Sequence, residues 1–524
     1  EFNGRASVIK SDGYIDRAST DLKSYFFQGS YIGETTLVKA LTFGGSEVTY
    51  QAWDGIDADQ LKEDRRFNPA GAYEDDQGNL RFYDNHIDDY KQDHFQLLWN
   101  ERYGNGWSSN IALHYTYGRG FYESYRAEED LEAYNLEPFT ANGKEITQSD
   151  LVTKKWLVND FYGTTFNVQY ENENLEVIAG GAWNNYEGDH FGEVIFTRFA
   201  PSLPLHRYYE NDAEKSDFNL FGKVTYSLRE NLALYGDLQL RKINYEVNGF
   251  EEENTPFIVD DSHTFFNPKA GFTYEFSEAS RLYFSFARAH REPNRSDYEA
   301  GNPEPEELND YELGWRFATD HFQLNSNLYY MDYRNQLVLT GELNDVGAPI
   351  RRNSGNSYRL GLELDAVVRL HPKFRWRPNV AISRNKNDDW FASWDGELRS
   401  FGKTDISYSP GIIAGNILEY RPVEGLEIKF LSKYVGEQYM SNLENKPSLL
   451  KDYFVNDINL QYTWSNAPLF KEIVFTGLIN NIFSEEYVSN GYYYTYDWDG
   501  LTYDGVGYYP QATRNFLAGV TLRF

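Results

Sequence analysis

Ala512-Thr513-Arg514-Asn515-Phe516-Leu517-Ala518-Gly519-Val520-Thr521-Leu522-Arg523-Phe524 is the stretch that decides how the whole chain is read. Phe516, Ala518, Val520, Leu522 and Phe524 point one way, and Asn515, Leu517, Gly519, Thr521 and Arg523 the other. A half-apolar, period-two segment ending on an aromatic suits a strand with one face in hydrocarbon and the other in water. An antiparallel membrane barrel needs such segments at about 10 residues each.

The pattern recurs upstream. Alternation bounded by turn residues places strands over 2–10, 22–32, 35–51, 91–103, 107–117, 161–170, 175–183, 218–228, 232–247 and 265–276. Further segments follow at 281–289, 311–318, 322–333, 358–370, 374–384, 403–419, 426–434, 454–464, 473–480 and 512–524. These twenty segments are joined alternately by short turns and long excursions. Membrane barrels sort their connections this way, with short periplasmic turns and long external loops. In 358–370, Leu360, Leu362, Leu364, Ala366, Val368 and Leu370 oppose Arg359, Glu363, Asp365 and Arg369. A soluble sheet explains one such strand but supplies no partner for twenty apolar faces. The expected fold class is therefore all-β, a transmembrane antiparallel β-barrel with 20 readable strands.

Composition narrows the rest. The 524 residues carry 80 acidic against 49 basic side chains, a net charge of -31, which disfavours a nucleic-acid partner. Aromatics reach 17%, with 43 Tyr, 36 Phe and 11 Trp, a density that fits interface girdles and binding loops. Cysteine is absent, which excludes disulfides and thiolate chemistry. No apolar run is long enough for a helical span.

Several short segments resemble TonB-dependent outer-membrane receptors of the Bacteroidetes type. Leu478-Ile479-Asn480-Asn481-Ile482-Phe483 followed by Tyr487 is similar to the family's motif after the penultimate strand. Pro510, Arg514, Phe516, Gly519 and Val520 to Phe524 resemble its terminal box. Phe286-Ala287-Arg288-Ala289-His290-Arg291-Glu292-Pro293, Asn267-Pro268-Lys269-Ala270-Gly271 and Ser11-Asp12-Gly13-Tyr14 are similar to motifs in earlier hairpins. The resemblance implies a barrel domain over 1–524, 22 strands in the full protein, and a plug domain upstream of residue 1. It further implies the outer membrane of a Gram-negative bacterium and energising by TonB-ExbB-ExbD through the plug. Outer-membrane lipid and lipopolysaccharide are the expected surroundings, and a surface lipoprotein or complex subunit is a candidate partner.

No nucleophile elbow, zinc signature or phosphate-binding glycine loop occurs, so no enzyme activity and no cofactor is expected. The nine histidines are scattered, with no metal-ligand spacing; His86 and His190 are the only candidates for a haem ligand, and a surface role is the plainer reading. Candidate ligand-binding residues are Tyr487, Tyr492, Tyr493, Tyr494, Tyr496, Trp498 and Tyr503, interspersed with Asp497, Asp499 and Asp504. Rigid aromatics give contact area at small entropic cost. The same rings could instead pack the loops or mark a girdle. Trp53, Tyr73 and Tyr83 with Asp54, Asp57, Asp59, Asp75 and Asp76 form a second candidate surface, which as an acidic rim suits a neutral, cationic or metal-rich ligand. Arg229, Arg359, Glu363, Asp365 and Arg369 are expected to face the lumen or the plug. The leading expectation is TonB-dependent import of a ferric siderophore, haem or similar metal chelate. A structural subunit of an outer-membrane complex is the alternative, and a passive porin a third.

Overall fold

A computed structural model describes the chain except for Asp76, Asn142, residues 200–205, Asp345, Val346, Gly396 and Asn466. Its long strands belong to a 21-stranded antiparallel sheet. One of the 21 is the two-residue Thr404–Asp405, which leaves the twenty expected from alternation. The chain divides into two compact units: Glu1–Asp54, Arg66–Tyr226 and Asp237–Asn267 form the first, and Gly55–Arg65, Ser227–Gly236 and Pro268–Phe524 the second.

In the first unit the register explains why the alternation exists. Ala40, Leu97, Leu113, Thr164, Trp183 and Phe218 are paired strand to strand in one row. Leu97, Leu113, Trp183 and Phe218 are all exposed. One residue along, the row reads Leu41, Gln96, His114, Gly163, Asn184 and Asp217. His114 and Asn184 hydrogen-bond there at 2.9 Å. Leaving each large apolar side chain in water would forfeit about 1.5–3 kcal/mol, so a continuous exposed row requires hydrocarbon. The turn Gly104-Asn105-Gly106 has φ of 83°, 50° and 81°, and a Cβ on Gly106 would sit 1.9 Å from the Glu171 carbonyl oxygen. Only glycine closes that hairpin.

The second unit repeats the design. Leu313, Leu328, Leu362, Ile382 and Ile412 pair in one exposed row, with Tyr311, Tyr330 and Leu360 beside it. Arg359, Glu363, Asp365 and Arg369 alternate with the aliphatic row of their own strand, Asn356–His371. The Asn481 motif acts as a staple. Asn481 is buried with φ of 48°; its side chain donates to Glu485 O and Ala512 O and accepts from Glu485 N–H. Arg514 Nε donates to Ile482 O at 2.8 Å, tying in the start of the last strand.

Two expectations are corrected. Strands placed at 107–117, 161–170, 175–183 and 218–228 run on as Trp107–Asp130, Gln148–Glu171, Leu175–Thr197 and His206–Arg229. Beyond the hydrocarbon neither face needs to be apolar, so alternation fades while the ladder continues to Gln148↔Asp130. The expected strand 403–419 is broken into Thr404–Asp405 and Ile412–Tyr420. Tyr408 there has φ of 50°, and Pro410 offers no ladder N–H. Buried apolar clusters sit on the strand extensions and in the loops. Leu131, Tyr134, Leu136, Leu151, Val194, Tyr208 and Tyr209 form one in the first unit, and Met440, Leu450 and Tyr493 one in the second.

Candidate functional site

In the second unit the tyrosine-rich loop folds as a hairpin, Val488–Trp498 against Leu501–Pro510. Asp499 and Gly500 lie at φ of 50° and 74°, the two left-handed residues of a type I′ turn. The period of two sorts the rings onto opposite faces. Tyr493 is 1% exposed, packed with Met440 and Leu450, and its hydroxyl accepts from Asn445 Nδ2. Tyr492, Tyr494, Tyr496 and Trp498 face the other way, opposite Gly507, Gly505, Tyr503 and Leu501. Ring centroids step 6.3 Å from Tyr492 to Tyr494, 6.3 Å to Tyr496 and 5.7 Å to Tyr503, with interplanar angles of 21–28°. Tyr509 stands 6.0 Å from Tyr492 and extends the row.

Glycine is what lets the rings lie along the sheet. A Cβ on Gly505 would come 2.2 Å from Tyr494, and one on Gly507 the same distance from Tyr492. Tyr494, Tyr496, Tyr503 and Trp498 are exposed, Trp498 at 71%. The edges are acidic: Asp497 accepts from Ser393 Oγ at 2.8 Å and Thr502 Oγ1 at 2.6 Å, and Asp499 is exposed. No Lys or Arg occurs between 488 and 510. Such a surface offers π faces to planar or cationic groups. Tyr487 is separate, packed at a tilt of 30° against Tyr453 at 4.5 Å, with its carbonyl accepting from Arg65.

The first unit brings Tyr73 and Tyr83 onto Tyr125, at 4.6 and 5.7 Å. Tyr83 donates to Glu123 Oε1 at 2.7 Å, and Lys154 pairs with the other oxygen at 3.2 Å. Tyr125 donates to Asp150 at 2.7 Å, which is paired with Arg198 at 2.8 Å. Burial first and the carboxylate partners second push both phenols above their usual range. His86 is buried; its Nδ1 accepts from Tyr125 N–H, and desolvation, aided by Arg126, lowers its pKa to about 4. Trp53 packs edge-on against Tyr122 at 4.8 Å. The Tyr83 and Tyr125 hydroxyls are thus already engaged, and the rings of Tyr73, Tyr83 and Tyr125 pack as one framework. Sequence reasoning misses Glu123, Tyr125 and Asp150, which lie on the strand extensions, and Arg198, which follows one.

Several acids of the second candidate surface have local partners. Asp75 caps its own turn through Gln77 and Asn79 N–H and pairs with Arg81, while Asp57 accepts from Asp59 and Gln60 N–H. Asp59 pairs with Lys62, and Asp76 lies outside the described residues. Asp57 and Asp59 fall in the second unit, whereas Trp53, Asp54, Tyr73, Asp75 and Tyr83 belong to the first. Of the polar-face residues, Glu363 and Asp365 line one cleft with Tyr283, Arg316, Asn325 and Asn327. Arg369 lines another, Arg359 bonds Ser409 at 2.9 Å, and exposed Arg229 sits at a short turn. Among the described residues no group of three or more His, Asp or Glu could hold a metal ion.

Comparison with known proteins agrees with this architecture. The family described as "TonB dependent receptor-like, beta-barrel" matches residues 31–482. No curated protein matches the chain. Among solved structures, the copper transporter OprC has a TM-score of 0.71 at 14% identity, with 100% of this chain and 75% of that one covered. The siderophore receptor PiuA from Acinetobacter baumannii gives 0.70 at 13%, covering 99% and 77%. The ferric-catecholate import receptor Fiu from E. coli K12 gives 0.68 at 13%, covering 100% and 77%.

Proposed function

This chain belongs to the TonB-dependent receptor-like β-barrel family of the Gram-negative outer membrane, and we propose that it serves active import of a metal chelate. The observation that carries the reading is the row of half-buried Tyr492 and exposed Tyr494, Tyr496, Tyr503 and Trp498, acid-edged and standing on a loop of such a barrel. A flat, neutral or cationic chelate, with its metal already wrapped in an organic ligand, fits that surface by stacking and cation–π attraction. Relatives described as receptors for a ferric catecholate and as a copper transporter support the chelate class.

In the same proposal a plug upstream of residue 1 couples the barrel to TonB-ExbB-ExbD, and the polar-face charges Arg359, Glu363, Asp365 and Arg369 meet that plug. The Bacteroidetes affiliation, a surface lipoprotein partner and bound lipopolysaccharide belong to the same proposal. Uptake of radiolabelled ferric and cupric chelates tests it, in cells carrying the full-length gene with and without TonB. One chelate is expected to accumulate only with TonB, and the triple variant Tyr494→Ala, Tyr496→Ala, Tyr503→Ala should lose binding by tenfold or more. Accumulation without TonB would make the barrel a passive pore; no accumulation of any chelate would make it a structural subunit.

A further inference from the structure

We infer that a second hairpin of the same unit, Phe391–Trp394 against Glu397–Ser400, is a strut that fixes the tip of the tyrosine hairpin from behind, with Thr502 as the joint. Asp395, Asp497 and Thr502 are then positioning residues for the ring row, a role that rests on the chelate reading above.

The tyrosine hairpin needs outside support. It is a sheet of two strands only, a unit that is marginal by itself in water. Near its base, Tyr508 exchanges backbone bonds with Ile56 at 2.8 and 3.1 Å, and Tyr408 donates its hydroxyl to Gly491 O at 2.9 Å. The tip lies beyond those anchors and carries Tyr496 and Trp498, the most exposed rings of the row.

There the second hairpin meets it. Asp395 donates its N–H to Thr502 Oγ1 at 2.6 Å, and Asp395 Oδ1 accepts from Thr502 N–H at 3.1 Å. Thr502 Oγ1 donates in turn to Asp497 Oδ1 at 2.6 Å, and Ser393 Oγ donates to Asp497 Oδ2 at 2.8 Å. One threonine thus spends its N–H, its O–H and a hydroxyl lone pair on closing a ring of bonds between two hairpins. Asp395 sits at φ of 52°, a left-handed region that Asp enters more readily than most residues. Its other carboxylate oxygen pairs with Arg399 at 3.3 Å, so the two acids gathered at Thr502 do not meet unanswered.

Strand parity shows which side is gripped. Asp497 and Thr502 form a cross-strand pair on the face of buried Tyr493, opposite the ring row. The strut therefore holds the back of the hairpin and leaves the ring face open to a ligand. Rings fixed before the ligand arrives spare binding the entropic cost of ordering them.

Pulsed-EPR distances in the folded full-length protein in nanodiscs test the joint. Spin labels go on Leu398→Cys and Leu501→Cys, both exposed, in a stretch of 524 residues without native cysteine. One narrow distance is expected with Thr502 intact and a broad distribution in Thr502→Val, which removes the hydroxyl and keeps the shape. Thr502→Ser, which keeps the hydroxyl, should be narrow again. A second pair near the base, Lys446→Cys with Asn490→Cys, should stay narrow throughout. A Thr502→Val distribution as narrow as the parent, or equal broadening of the base pair, would overturn the strut. Binding of the flat bis(phenanthroline)copper(II) cation supplies the functional arm. Thr502→Val should weaken it by about three- to tenfold, and Thr502→Ser should restore it. Equal affinity in the parent and Thr502→Val would overturn the positioning role. A parent protein that ignores the cation would sink that role together with the chelate reading, whereas the distances alone decide the strut.

Discussion

Leu364→Arg and Leu370→Arg, made separately in the strand Asn356–His371, put a number on the membrane reading. The apolar row from Leu360 to Leu370 spans ten residue steps, about 33 Å along the strand. A tilt of about 40° shortens this to about 25 Å of height, the thickness of a barrel's apolar band. Leu364 is four steps below Leu360, hence about 10 Å inside the band, whereas Leu370 lies at its edge and is 61% exposed. Arginine costs about 2–4 kcal/mol near the bilayer midplane and about 0–1 near an interface. The two variants should therefore differ by about 2–3 kcal/mol, or about 30- to 150-fold in the folding equilibrium. Urea titration of folding into phosphatidylcholine vesicles, followed by heat-modifiable mobility on gels, measures both. Leu398→Arg, in an exposed loop hairpin, serves as the control and should move stability by no more than about 0.5 kcal/mol. Equal costs at 364 and 370, or a larger cost at 370, would refute the assignment of that row to hydrocarbon.

Protonation of His86 gives a pH test. Its folded pKa is depressed to about 4 from 6.5, so the neutral ring is the native form. The unfolded state binds the extra proton between those values, and about 3 kcal/mol of local stability, full above pH 6.5, is lost as pH falls toward 4. Protection factors around residues 83–90, with the intrinsic base-catalysed rate divided out, should be lower at pH 5 than at pH 7.5 in wild type but not in His86→Gln; identical pH responses would dismiss the idea. Gly505→Val should disorder the tyrosine row and weaken chelate binding by tenfold or more with barrel stability unchanged; near-UV dichroism identical to wild type would count against the glycine's role. Arg351→Met leaves Asp297, with its side chain 1% exposed, without its 2.9 Å ion-pair partner, so the helix Arg295–Glu299 should lose about 3–5 kcal/mol of protection in hydrogen exchange. Unaltered exchange there would mean that the capping hydrogen bonds alone hold the segment.

What the sequence made legible follows from the solvents each segment meets. Where a strand separates oil from water, as from Leu360 to Leu370, side chains must alternate and the eye finds them. Where water or a loop covers both faces, as over 118–130 and 148–160, nothing enforces alternation, and these strand extensions read as loop. The hairpin 488–510 was visible as a density of tyrosine, yet not the split between buried Tyr493 and its exposed neighbours. Gly505 and Gly507, two apart, carried that parity.

The continuous ladder of the first unit, held in register from Trp107 through Asp130 against Gln148–Glu171, has a mechanical corollary. Its stems are stiff almost to their tips, and the segment that crowns this pair is pinned by the Leu131–Tyr209 cluster. In the second unit the strands flanking the tyrosine hairpin, Glu472–Asn480 and Asn515–Arg523, stop well short of it. Compliance is therefore unequal: the second unit's loops give way more readily than the stiff stems of the first.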